Sequence, residues 1–178
     1  MAASVADRSA GPTVAAVDIG GTKLAVAVVA PDGEVLVEGR APTHGIGADG
    51  LFAALGDLLE DTISASSIRP EAIGVGCGGP MSAGGESVSP LNIPQWRGFP
   101  LRARLAQRFE LPTFVDNDAK ALALGEGWLG AARGEDDYLA MVVSTGVGAG
   151  IVLLDPAVAD PDAGVVPPRI RAEAATGR

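Results

Sequence analysis

Two short apolar runs, residues 14–19 and 24–30, are separated only by Gly20, Gly21, Thr22 and Lys23. A third run, residues 34–38, follows the turn Pro31-Asp32-Gly33, and its Val35 and Val37 alternate with polar neighbours. Short β-rich segments joined by glycine-rich turns predict an antiparallel meander at the start of the chain. Whatever the rest of the chain does must be built onto this sheet.

Helical spacing takes over next. Leu51, Leu55, Leu58, Leu59, Thr62 and Ile63 recur with the period of one helix face, and Pro70 stops any continuation. Residues 72–77 form a short apolar strand that runs into the glycine-rich turn Gly76 to Pro80, followed by a Ser/Gly/Pro/Asn loop over residues 81–100. Leu101, Leu105 and Phe109 mark a second helix, with Arg102, Arg104 and Arg108 read as its solvated face. Residues 113–115 read as a strand, with Asp116 or Asn117 capping a helix over residues 119–129. Residues 138–143 and 150–154 then read as two strands around the turn Ser144 to Gly148. This order predicts an α/β class with a mixed sheet and helices on its faces. Over residues 155–178 neither period survives, four of the prolines gather and no aromatic residue occurs, so the expectation there is a disordered or aberrant tail. Residues 1–13, without an apolar stretch, read as a disordered N-terminal tail.

Composition narrows the partners. Hydrophobic residues make up 47% and charged residues 20%, which excludes a generally disordered chain. The net charge is −9, from 22 acidic and 13 basic residues, and no basic cluster occurs. A phosphate backbone needs a positive stripe, so nucleic acid is not an expected partner. The longest apolar run is far shorter than the roughly 20 residues that span a bilayer, so no membrane partner is expected either. One cysteine, Cys77, and one histidine, His44, cannot by themselves build a four-ligand zinc site. The cytoplasm is the expected location. Cys77 reads as a small core residue, His44 as an exposed loop residue, and Trp96 and Trp128 as packing anchors.

Three motifs carry chemistry. In DIGGTK (Asp18 to Lys23) a carboxylate ends a strand, glycines admit backbone N–H groups close to a phosphate, and Thr22 adds a hydroxyl. Asp18 could hold a hydrated divalent ion beside the phosphates. The same hexapeptide would also serve as a plain hairpin. STGVGAG (Ser144 to Gly150) repeats the pattern with Thr145, Gly146 and Gly148, and two such loops could grip a phosphate chain from both sides. VDNDAKALALGE (Val115 to Glu126) sets Asn117 and Asp118 at a strand-to-helix junction. There Asp118 could accept a proton from a hydroxyl and Asn117 could hydrogen-bond a neighbouring one, although simple helix capping would use the same residues.

DIGGTK, GVGCGGP (Gly74 to Pro80), PLNIPQW (Pro90 to Trp96), VDNDAKA and STGVGAGI occur in the order found in ROK family sugar kinases, which the chain resembles from Val14 to about Leu154. The resemblance implies the actin-like, ribonuclease H-like ATPase fold of two lobes. On that fold the first lobe would take residues 14–136, and the second would begin at residues 137–154. It implies ATP and Mg²⁺ as cofactors and a hexose such as glucose or N-acetylmannosamine as substrate. Asp118 would match the catalytic base, and Asn117, Gly79 and Asn92 would match the sugar-binding residues. Asp18, Gly20, Gly21, Thr22 and Lys23 would match the first phosphate loop, with Asp18 toward Mg²⁺, and Thr145, Gly146 and Gly148 the second. The family continues with a Glu and a His on the sugar and a cysteine cluster that commonly holds zinc, whereas this chain has no histidine after His44 and no cysteine after Cys77.

The 178-residue chain is therefore expected to be incomplete, inactive alone and prone to self-association through its last apolar strands, and a homo-oligomer if complete. Two other readings are a non-catalytic sugar- or nucleotide-binding remnant and a ROK-type sugar-responsive regulator. The second is disfavoured by the few residues before Asp18, too few for a DNA-binding module, and by the acidic balance.

Overall fold

The computed structural model describes residues 11–43, 47–143, 147–153 and 169–173, the last as backbone only. The chain divides into two compact units, Met1–Asp116 and Asn117–Arg178.

The first unit is built on a five-stranded sheet in the order β3-β2-β1-β4-β5. Strands β1 (Val14–Ile19), β2 (Lys23–Val29) and β3 (Val35–Pro42) form the meander, with β1–β2 and β2–β3 antiparallel. Strand β4 (Ala72–Cys77) joins the other side of β1 in parallel, after the helix α1 (Ala48–Ser66). The helix α2 (Leu101–Phe109) leads to β5 (Thr113–Asn117). The sheet is mixed, as the sequence predicts. Helix α1 ends at Ser67, whose φ of 57° puts it in the left-handed region that closes a helix.

The two faces of this sheet differ sharply. Alternation along β1 and β2 buries Ala15, Val17, Ile19, Leu24, Val26 and Val28. Against them pack Leu51, Phe52, Leu55 and Leu59 of α1 and Leu101 and Leu105 of α2. Each fully buried leucine contributes about 1.5–3 kcal/mol relative to an exposed one. On the opposite face, register aligns Ala27, Ala16 and Gly74 in one row and Ala25, Asp18 and Gly76 in the next. With no bulky side chain in either row, Asp18 stays exposed.

Trp96 closes the core beneath the long 81–100 loop. It is fully buried, stacks on Phe99 at 4.6 Å between ring centroids, and donates from Nε1 to the Ala48 carbonyl at 3.1 Å. It is the packing anchor expected. Trp128 is not: 51% of it is exposed, because α3 presents that position to solvent.

The arginines of α2 also differ from expectation. Arg104 pairs with Asp49 at 2.6 Å and lies over the Phe52 ring, 4.2 Å from its centroid. Arg108 reaches Asp57 at 2.6 Å and Glu60 at 3.2 Å, which holds its guanidinium pKa above the usual value despite some burial. Arg102 pairs with Glu86 and donates to the Gly84 carbonyl. Rather than a solvated face, they tie α2 to α1 and to the loop before it.

The second unit packs α3 (Asp118–Leu129) on a three-stranded sheet in the order β6-β7-β8. Strands β6 (Tyr138–Val143) and β7 (Val147–Leu153) are antiparallel neighbours. Ala123, Ala140 and Val152 form its small core, with Leu122 and Tyr138 against them. Strand β8 (Arg169–Glu173), within the stretch expected to be a tail, pairs antiparallel with β7 from Leu153↔Arg169 to Ala149↔Glu173, while residues 154–168 and 174–178 lie outside the described residues. Backbone pairing needs no apolar period, which is why the sequence pattern concealed it. The opposite face of β6 and β7 leaves Leu139, Met141, Val143, Val147 and Leu153 exposed.

Candidate functional site

Strands β1 and β4 run parallel, so their C-terminal ends share one edge of the sheet, where α/β folds place ligands. The GGTK turn leaves β1 there, and Gly78-Gly79-Pro80 leaves β4. Strand β5 begins beside β4, with the Ile73 N–H donating to the Pro112 carbonyl at 2.9 Å. Its far end, at Asp116, therefore lies toward that edge also.

Three of the predicted segments meet there. The Leu91 N–H donates to the Gly79 carbonyl at 3.2 Å, and the Ser89 N–H to the Pro80 carbonyl at 2.8 Å, which joins the GGP turn to the PLNIP loop. One residue on, Asn92 abuts Gly21: a Cβ on Gly21 would stand 2.5 Å from the Asn92 Cβ. Gly21 is thus required by this close approach, with no left-handed φ involved. The PLNIP loop is itself braced by Arg97, whose guanidinium donates to the carbonyls of Pro90, Ile93 and Trp96. Arg97 was not singled out in the sequence, since nothing in its neighbourhood distinguishes it from a surface arginine.

Within the GGTK turn the Gly20 N–H is taken by the Lys23 carbonyl at 3.0 Å, so it closes the hairpin. The N–H groups of Gly21 and Thr22 donate to no acceptor among the described residues. Thr22 and Lys23 are exposed. The carboxylate of Asp18, one turn back, stands between Ala25 and Gly76 in the sheet register, where small neighbours leave room around it. Among the described residues no three His, Cys, Asp or Glu side chains cluster as a metal cage.

In the second unit, Asn117 is the N-cap of α3, its Oδ1 accepting from the Ala119 N–H at 3.0 Å. Asp118 opens the helix, and its Oδ1 accepts from the same N–H at 2.9 Å while the residue remains exposed. The cap falls on Asn117, one of the two positions predicted. Gly148 and Gly150 lie inside β7, where a Cβ on Gly148 would sit 3.5 Å from that of Ala119 and one on Gly150 would overlap the Ala119 carbonyl. These glycines let the first turn of α3 lie close on the strand, a packing reason for part of the STGVGAG pattern. Thr145 and Gly146, like His44, lie outside the described residues.

A mixed sheet with flanking helices, a glycine loop at the end of its first strand and a carboxylate opening the third helix together define the class, an α/β protein. The ROK family model matches residues 14–165, and the chain belongs to the ROK family, with its actin-like ATPase fold. The match runs past residue 154, where the resemblance was expected to stop. A glucokinase from Thermotoga maritima is 39% identical over 140 residues, covering 76% of this chain and 43% of the relative. A xylose repressor from Caldicellulosiruptor bescii is 38% identical over 126 residues, covering 68% of this chain and 31% of the relative. The crystal structure of a ROK family glucokinase from Streptomyces griseus in complex with glucose and AMPPNP aligns with a TM-score of 0.72 and 36% identity, covering 80% of this chain and 45% of that one. The chain thus spans less than half the length of these relatives.

Proposed function

We propose that this chain is the nucleotide- and sugar-handling N-terminal part of an ATP-dependent hexose kinase. One observation carries the reading: the GGTK segment, far from the other two in sequence, meets the GGP and PLNIP segments at the C-terminal edge of β1 and β4. The glucokinase relatives, and the glucose and AMPPNP held by the Streptomyces griseus enzyme, support the substrate class.

In this reading Gly79, Asn92 and Asn117 hold sugar hydroxyls, and Asp118 removes the proton from the hydroxyl that attacks the γ-phosphorus. The exposed carboxylate of Asp118 is anchored through one oxygen on the Ala119 N–H, which leaves the other for the sugar. The N–H groups of Gly21 and Thr22, with the Thr22 hydroxyl and Lys23, serve as the first phosphate loop, and Thr145, Gly146 and Gly148 as the second. When bound at Asp18 through water, Mg²⁺ supplies charge neutralisation of the phosphates. Positioning and charge stabilisation carry most of the catalysis in such transfers. The reading puts the molecule in the cytoplasm, as a homo-oligomer when complete.

The regulator reading has the xylose repressor relative behind it. An intact base discriminates, because a regulator needs to bind its sugar but has no use for Asp118 as a proton acceptor.

The test is a chimera joining residues 14–153 to the C-terminal part of the Thermotoga maritima glucokinase, assayed for ATP-dependent phosphorylation of glucose, N-acetylmannosamine and N-acetylglucosamine. Turnover of one of them is expected. A folded chimera that binds sugar and turns over none would sink the kinase reading in favour of the regulator.

A further inference from the structure

Thr43, immediately after β3, is buried to 2% exposure and is one of only two buried polar residues among the described ones, with Thr62. Thr62 bonds back to its own helix, donating to the Leu58 carbonyl. Thr43 reaches across the chain instead. Its hydroxyl donates to the Gly21 carbonyl at 2.7 Å, and its N–H donates to the Thr22 carbonyl at 3.2 Å. Two successive carbonyls of the GGTK turn are thereby drawn to one buried residue.

A trans peptide places its C=O and N–H on opposite sides of the chain. The Gly21–Thr22 bond is trans, since the one cis bond among the described residues is Gly79–Pro80. Holding the Gly21 carbonyl inward on Thr43 therefore turns the Thr22 N–H outward. That N–H donates to no acceptor among the described residues. The other side of the turn is fixed by Asn92 against Gly21. The loop cannot flip this peptide without breaking the Thr43 bond or displacing Asn92.

We propose that Thr43 is a positioning residue whose buried hydroxyl holds the Gly21–Thr22 peptide with its N–H presented to a phosphate. This rests on reading residues 18–23 as a phosphate loop. Thr43 touches no ligand itself. It acts through the peptide, as a preorganised donor that needs no rearrangement when the anion arrives.

The test uses the whole chain, labelled with ¹⁵N, as wild type, T43V, T43A and T43S. Two quantities are read: the amide resonances of Gly21 to Lys23 without ligand, and the affinity for Mg²⁺–tripolyphosphate. T43V removes the hydroxyl at nearly constant volume, and T43A removes it without setting a methyl against the carbonyl, so it serves where T43V does not fold. In both, the Thr22 amide resonance shifts or broadens and the affinity falls about fivefold or more, as for one lost hydrogen bond. T43S keeps the hydroxyl and stays within about twofold of wild type in the same comparison. A folded T43V or T43A with unchanged Thr22 resonance and affinity overturns the proposal, as does a T43S that behaves like T43V. If wild type binds no tripolyphosphate, the phosphate-loop reading fails, and the Thr22 resonance alone decides whether Thr43 orients the peptide.

Discussion

At Gly21 the absence of a side chain does two separable things. It lets an anion approach the backbone, and it makes room for Asn92. These separate experimentally. Gly21→Ala forces its Cβ against that of Asn92, so the single substitution is expected to cost about 1–3 kcal/mol of stability, as overpacking does. Asn92→Ala retains the clashing Cβ and brings no relief, whereas Asn92→Gly removes it. The double variant Gly21→Ala/Asn92→Gly should therefore recover about 0.5 kcal/mol or more relative to the sum of the singles in a denaturant cycle. Strict additivity would show that the contact is not the reason for the glycine. Trp96 gives a simpler prediction: buried, stacked and hydrogen-bonded, its replacement by Ala should cost about 3–5 kcal/mol by the same measurement. Gly21 was legible in sequence as part of a glycine turn after an apolar strand, and Asn117 as a helix cap, because turns and caps draw on few residue types. Thr43 and Arg97 were not legible. A lone Thr or Arg in a loop has no periodicity, and their meaning comes from carbonyls that folding brings to them.

Elements were easiest to read where burial imposes a period. Compact apolar runs gave β1, β2 and β4, and the leucine face gave α1, since each of these elements contributes to the core. What lacked a period was missed. Strand β8 is held by backbone pairing, and Arg104 and Arg108 of α2 find acidic partners about 50 residues away, in pairs no local pattern announces. Exposed pairs contribute little, but Arg104 also covers two aromatic rings. Arg104→Ala should therefore destabilise the first unit by about 1 kcal/mol, and most of the loss should persist in 1 M salt, where exposed ion pairs are screened. Complete loss of the effect at high salt would assign it to the Asp49 pair alone. In the second unit, the uncovered face of β6 and β7 predicts concentration-dependent self-association. Met141→Lys with Val143→Thr should shift sedimentation toward monomer. A wild-type chain that is monomeric at every concentration would contradict this.

The whole molecule is where sequence and fold together reach furthest. Five motifs in a fixed order placed the chain in its family, because phosphoryl transfer needs several short loops at one sheet edge and leaves the scaffold between them free to vary. Three of those loops converge within the first unit, and Asn117 with Asp118 opens the second. The relatives are more than twice as long as the stretch this chain shares with them, so turnover is a property to be measured with the remaining part supplied. The most direct measurement is the kcat of the Asp118→Asn variant of the glucokinase chimera. Asparagine keeps the shape and the anchor on Ala119 but cannot take a proton, so kcat should fall by at least about 100-fold, with the KM for the sugar within a few-fold of the parent. A variant that keeps the parent kcat would show that Asp118 is a helix-opening residue and nothing more, and the proposed chemistry would fall with it.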